Sequence, residues 1–365
     1  MKFPISFSFD KKIIYIIINC ISILFVYKFD KYTIAFIHDL TLLFSIIISI
    51  ICLLIRNKYL SKHHNKENLE NIEIITPGYK QYLSIIILYL LFSIIPLLNG
   101  IALYKEIRIY SSFSNITFIG IIIIGLNNKS IYRHQLLSVI ILCMIIFFYP
   151  NLYEEFNKIH IYPFIFNCFY SFLYYYFRGV LRAFLKFNME SLYISPFFIS
   201  AIDVSFNILK NLLVYGYYYF IANQNKKNIY FKKMFYNKLQ NLEVYPFILY
   251  FIFNVIFPIF DILICYYYSP YHQSLTDILG HFLKSILIGN NSNSSIINSI
   301  IGIINIFFSG VIAEVIILYF CDLHINTKKE IKKRANSNAI EEVLNSSENF
   351  SDDNIIDLVI INEKK

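Results

Sequence analysis

Residues 266–289 read YYYSPYHQSLTDILGHFLKSILIG, an apolar run that carries Asp277, His281 and Lys284 in its interior. On a helix these three share one face, with Gln273 one turn earlier. A charge at the centre of a bilayer costs about 2.5–3.5 kcal/mol on insertion scales, so such groups persist where they face a water-filled path, a ligand or each other. Two other apolar runs carry polar stripes. Residues 196–221 hold Ser200, Asp203, Asn207 and Lys210, and residues 245–268 hold Asn254 and Asp261. The Asp-to-Lys spacing of Asp203 and Lys210 recurs in Asp277 and Lys284. Seven residues of helix rise about 10.5 Å, too far for a direct pair. Partners are therefore expected across helices, Asp203 with Lys284 or Asp277 with Lys210. Two chemistries fit. One is a polar cavity that binds an anionic or hydroxylated solute, and the other is a set of structural ion pairs.

The elements that position these groups are transmembrane helices. The chain has 365 residues, 57% of them hydrophobic and only 15% charged, against about 25% charged in a globular protein. Mean hydropathy is +0.56. The composition reads as an all-α polytopic membrane protein. Its net charge of +8 sits mostly in loops and the tail, which fits a positive-inside signal rather than nucleic-acid binding. The six cysteines lie in or beside apolar runs without a close pair, so neither a disulfide framework nor a metal site is expected. Cys321, where the last run meets a basic tail, is a palmitoylation candidate. Lys11 and Lys12 precede an apolar run with no small-residue cleavage site, so the first helix is expected to stay uncleaved.

A span needs about 20 apolar residues. Ten candidates follow in order: 13–27, 33–55, 82–104, 107–126, 136–149, 161–177, 196–221, 245–268, 271–289 and 296–320. The expected organisation is a cytosolic N-terminus at 1–12, a five-helix half at 13–150, a connecting loop at 151–160, a second five-helix half at 161–320 and a charged tail at 321–365. Arg178, Arg182 and Lys186 read as a basic extension beyond the sixth span. With the N-terminus cytosolic, that side holds 20 Lys and Arg against 10 opposite, which places both termini in the cytosol.

The third and fourth spans lie over the eighth and ninth at a constant offset of 162: Pro96 on Pro258, Asn99 on Asp261, Ser112 on Ser274 and Asn115 on Asp277. Five spans per half put the second half upside down relative to the first, an inverted repeat. Asn99 and Asn115 read first as groups that hydrogen-bond helix to helix, and second as path residues. His281 is either a satisfied interior histidine or a proton relay. The candidate solute path is thus Asn99, Asn115, Asp203, Asn207, Lys210, Asp261, Asp277, His281 and Lys284. Enzyme motifs are absent: Glu154-Glu155 and His63-His64 have no matching partners, and there is no Gly-rich phosphate loop or G-x-S-x-G. No cofactor is expected.

Four stretches resemble one family. LNGIALYKEIRIYSSFSNITFIGIIII at 98–124 is similar to the third-to-fourth-helix segment of the drug/metabolite transporter superfamily, on its nucleotide-sugar-transporter side. LNNKSIYRHQLLSVIILCMIIFF at 126–148 resembles the basic turn and fifth helix, and LKFNMESLYISPFFISAIDVSFN at 185–207 the entry to the seventh. The Ser-Pro within 268–287 resembles the entry to the ninth. The sugar-phosphate branch of that superfamily has a Lys-Arg pair where this chain has Gly280 and His281. The resemblance implies ten helices in two inverted repeats, a Golgi or endoplasmic-reticulum membrane, and exchange of a small-molecule solute such as a nucleotide sugar. Membrane lipid, a second copy of the chain in a homodimer and a cytosolic partner for the tail are the expected partners. The competing reading keeps the fold without the transport, as a membrane scaffold or trafficking protein whose tail does the work.

Overall fold

A computed structural model describes residues 5–7, 13–29, 35–64, 79–102, 110–126, 133–148, 161–191, 194–221, 224–225, 244–288, 293–318 and 333–334. Among these residues lie ten α-helices of eleven residues or more: α1 (Ile13–Phe29), α2 (Ala35–His64), α3 (Tyr79–Ala102), α4 (Ile116–Leu126), α5 (Arg133–Ile146), α6 (Ile161–Ser191), α7 (Pro196–Phe220), α8 (Val244–Tyr267), α9 (Pro270–Ile288) and α10 (Asn293–Ile312). A 3-10 turn, Ser111–Asn115, leads into α4. Three helices are long and apolar enough to cross a membrane by length and composition, over His38–Lys58, Pro196–Phe220 and Phe247–Tyr267. Five more are apolar but shorter. Among the described residues the long elements are all helices, suited to embedding in a membrane.

The burial pattern fits that medium. On α2, Thr41, Ser45 and Ser49 recur every fourth residue and are fully buried, while Leu43, Phe44, Ile47, Ile51 and Leu54 are exposed. Asn19 and Ser22 of α1, and Asn167 and Ser171 of α6, are likewise buried, while Ile14, Ile17, Ile165 and Phe169 point outward. In water this arrangement would strand apolar surface. Against lipid tails it costs nothing, and small hydroxyl-bearing faces let helices approach and hydrogen-bond.

α2 packs on α7, α5 on α10, and α4 on α9. α1 lies against α8 and α9, and α6 against α3 and α4. α2 also touches α8, and α3 touches α7. The α2–α7 pair is antiparallel, because Asp39 meets Asn211 and Tyr215 whereas Ser49 meets Ser200. The α4–α6 contact depends on two glycines. A Cβ on Gly120 would collide with the Tyr176 carbonyl oxygen, and one on Gly179 with that of Thr117.

Two expectations are corrected. The sixth span does not stop at 177: α6 runs 31 residues without a break, about 46 Å at 1.5 Å per residue. Arg178 and Arg182 therefore sit in the bundle instead of extending beyond it, and they do not count as loop charges in the orientation argument. The tenth span does not run to 320. α10 ends at Ile312, Glu314 takes a left-handed backbone with φ of 59°, and β2 (Ile316–Leu318) pairs antiparallel with β1 (Ile5–Phe7). Ser6 faces Ile317 in that ribbon. The strand before α1 and the strand after α10 thus meet at one end of the bundle.

Candidate functional site

Three local features build the central cluster. The first is the α8–α9 hairpin. Ser269 precedes Pro270, the first residue of α9; its hydroxyl accepts from the His272 amide at 3.4 Å. Serine at the cap and proline at the first helical position are the preferred start of a helix. The turn folds α9 back on α8, so that Gln273 Nε2 donates to Asp261 Oδ2 at 2.6 Å. The second feature is the length of α6, on which Arg178, Arg182 and Lys186 follow at one-turn intervals on one face. The third is the glycine contact that seats α6 against α4.

These features bring four charges together. Asp277 Oδ2 lies 2.8 Å from an Arg178 guanidinium nitrogen and 2.5 Å from one of Arg182. Arg182 also donates to the Ser274 hydroxyl at 2.9 Å and lies 4.0 Å from Asp261. Asn19 of α1 reaches Asp261 Oδ1 at 3.5 Å. The Arg182 side chain is 4% exposed. One turn further on, Lys186 donates to the Tyr266 carbonyl at 2.5 Å and pairs with Glu190 at 3.0 Å. Two guanidiniums against two carboxylates leave the cluster close to neutral, which is how buried charge is tolerated.

A second polar group occupies the junction of α2, α7 and α8. His38 Nδ1 is 2.7 Å from the Tyr250 hydroxyl and 3.1 Å from Asn254 Nδ2, and Asn254 also donates to Thr41. Asp39 accepts from Asn211 Nδ2 and from the Tyr215 hydroxyl, both at 2.6 Å. Lys210 donates to Asn207 Oδ1 at 3.1 Å. Asp203 links the two groups. It lies within electrostatic reach of Lys210 on one side and of Arg178 and Asp261 on the other, beside the buried Tyr89.

The structure sorts the candidate residues accordingly. Asp261 and Asp277 belong to the central cluster, and Asn207 and Lys210 to the second group, with Asp203 between. Asn115 stands apart: its Nδ2 donates to the Leu142 carbonyl at 3.1 Å and to Asn305 Oδ1 at 3.0 Å, joining the 3-10 turn before α4 to α5 and α10. It keeps different company from Asp277, its counterpart at the offset of 162. Asn99, His281 and Lys284 lie on α3 and α9, with side chains outside the described residues. The expected pairing of Asp277 with Lys210 is replaced by Arg178 and Arg182, since those two stand on the helix that faces α9. Sequence reasoning assigned these arginines, with Gln273, Ser274 and Asn19, no place in the path. The signal was present in the one-turn spacing of Arg178, Arg182 and Lys186, carried on a segment with no Pro after Pro163. Among the described residues no three His, Cys, Asp or Glu side chains gather as a metal would need. No protein-family model matches the sequence, and no curated protein is found similar to it.

Proposed function

We propose that this chain is a secondary transporter of an endomembrane, moving a small polar or anionic solute by alternating access of two inverted five-helix halves. The carrying observation is the buried cluster of Arg178, Arg182, Asp261 and Asp277, where α6, α8 and α9 converge beside Asn19 of α1. Intramembrane ionisable groups of this kind mark solute or ion paths by default. The helix pairings support the inverted plan. Exchange α1–α5 for α6–α10, and α2–α7, α5–α10 and α4–α9 map onto themselves. Contact α1–α9 maps onto α6–α4, α1–α8 onto α6–α3, and α2–α8 onto α7–α3. The antiparallel α2–α7 pair is what an axis in the membrane plane produces. The resemblance to nucleotide-sugar transporters supplies the solute class and the Golgi or endoplasmic-reticulum location.

The near-neutral balance of the cluster favours a second reading, a membrane scaffold whose charges only hold helices together. Uptake by proteoliposomes of a panel of nucleotide sugars, sugar phosphates and amines separates the two. Saturable uptake of one solute, lost in Arg182→Gln with the protein still folded, supports transport. A folded protein that moves none of them favours the scaffold.

A further inference from the structure

The geometry points to an oxyanion site in which Asp277 is the resident occupant: we propose that a solute's carboxylate, phosphate or sulfonate group takes its place between Arg178 and Arg182, and that Asp277 leaves carrying a proton. The inference rests on the transport reading and names the solute chemistry and coupling of that site.

The argument starts from one oxygen. Asp277 Oδ2 is held by both guanidiniums, at 2.8 and 2.5 Å, and the two arginines stand one turn apart on α6. Planar forks converging on one anionic oxygen are the arrangement by which arginine takes carboxylate and phosphate groups. Asp261 is held differently. Gln273 and Asn19 bind its two oxygens and Arg182 stands 4.0 Å away, so it stays as a fixed counter-charge. Asp277 is thus the carboxylate whose one oxygen both arginines share.

Charge balance then dictates the coupling. An arriving group of single negative charge that displaces an ionised Asp277 leaves one uncompensated negative charge in a low-dielectric interior, a state that buried groups avoid by changing protonation. One proton from solvent, bound to the displaced carboxylate, restores the balance. Among the described residues, the other titratable or charged groups facing Asp277 come from three helices. α6 offers Arg178 and Arg182, α8 offers Asp261, and α1 offers Cys20. α4 and α10, which also pack on α9, contain no titratable residue. On α9 itself the neighbours at that depth are Gln273 and Ser274, with His281 one turn further along.

The test is anion binding to the purified full chain in detergent, by calorimetry, with methanesulfonate as the probe because its single charge stays fixed across the range. Wild type is expected to bind more tightly as pH falls from about 7.5 to about 5.5, by up to about tenfold per pH unit, taking up one proton for each anion bound. Asp277→Asn is expected to bind as tightly at the upper pH as wild type does at the lower, with no pH slope, and Arg178→Gln to lose the binding. Should Asp277→Asn fail to fold, proton uptake by wild type, measured in two buffers of different ionisation enthalpy, decides alone. Binding with no proton uptake overturns the proposal, as does the absence of binding in wild type. A protein that takes up a solute yet fails this test sinks the inference and leaves transport standing. One that passes it but moves no solute sinks the transport reading only.

Discussion

Arg182 and Asp277 stand 95 positions apart in the chain and meet at 2.5 Å between α6 and α9. The pair ties α6 to α9, and the Arg182 side chain is almost wholly enclosed. Truncating one partner of a buried pair costs about 3–5 kcal/mol, because the other is left uncompensated. Arg182→Gln and Asp277→Asn should each lower thermal stability in detergent, and the double variant should cost clearly less than the two singles added. Strict additivity would mean that the two side chains do not interact in solution.

The α4–α6 contact makes a contrast among glycines. Gly120 and Gly179 face backbone atoms of the opposite helix, which have no way to yield by changing rotamer, whereas Gly216 on α7 has nothing within 4 Å of a new Cβ. Gly179→Ala and Gly120→Ala should each destabilise by about 1–3 kcal/mol through overpacking. Gly216→Ala should be neutral, or stabilise by up to about 1 kcal/mol through lost backbone freedom in the unfolded chain. Unfolding midpoints of the three variants check the order. Equal effects at all three would contradict the close approach.

Asp39 binds two partners on α7, and the hydroxyl of Tyr215 is one of them, at 2.6 Å. A hydrogen bond to a charged group contributes about 1.5–3 kcal/mol. Tyr215→Phe should therefore lower stability by about that amount, and in an Asp39→Asn background the same change should cost much less. A double-mutant cycle on denaturation midpoints measures the coupling.

The β1–β2 ribbon sets Ser6 opposite Ile317. Ser6→Cys combined with Ile317→Cys should form an intramolecular disulfide under mild oxidation, while Ser6→Cys with Val311→Cys should not, since Val311 belongs to α10. Mobility on non-reducing gels reads the result. Because the ribbon puts both ends of the bundle on one side, tags at the two termini should also share one response to protease in sealed microsomes. Protection of one tag and digestion of the other would contradict the ribbon.

What the sequence determined by itself was the medium and the ten long helices among the described residues. Apolar runs of membrane length are a local property, and they give the limits of α1, α3, α7, α8 and α9 to within a few residues. Ser269-Pro270 and Ser195-Pro196 mark helix starts through their own backbone chemistry. Asp261 and Asp277 were legible as candidate site residues because an acidic group in an apolar run is costly wherever it lies. Only the tertiary structure decided what they touch. The partner of Asp277 depends on which helix faces α9 and at what rotation, and that is set by packing such as the Gly120–Gly179 contact, not by spacing within one helix. Arg178 and Arg182 were set aside because a basic stretch after 17 apolar residues looks like a cytosolic flank. In the folded chain α6 continues past the length a bilayer needs, because its basic face finds Asp261 and Asp277 to neutralise it. Ile316–Leu318 likewise looked like more of α10. An apolar β-branched run suits helix or strand, and the strand of residues 5–7, some three hundred positions away in sequence, supplied the hydrogen bonds that settled it.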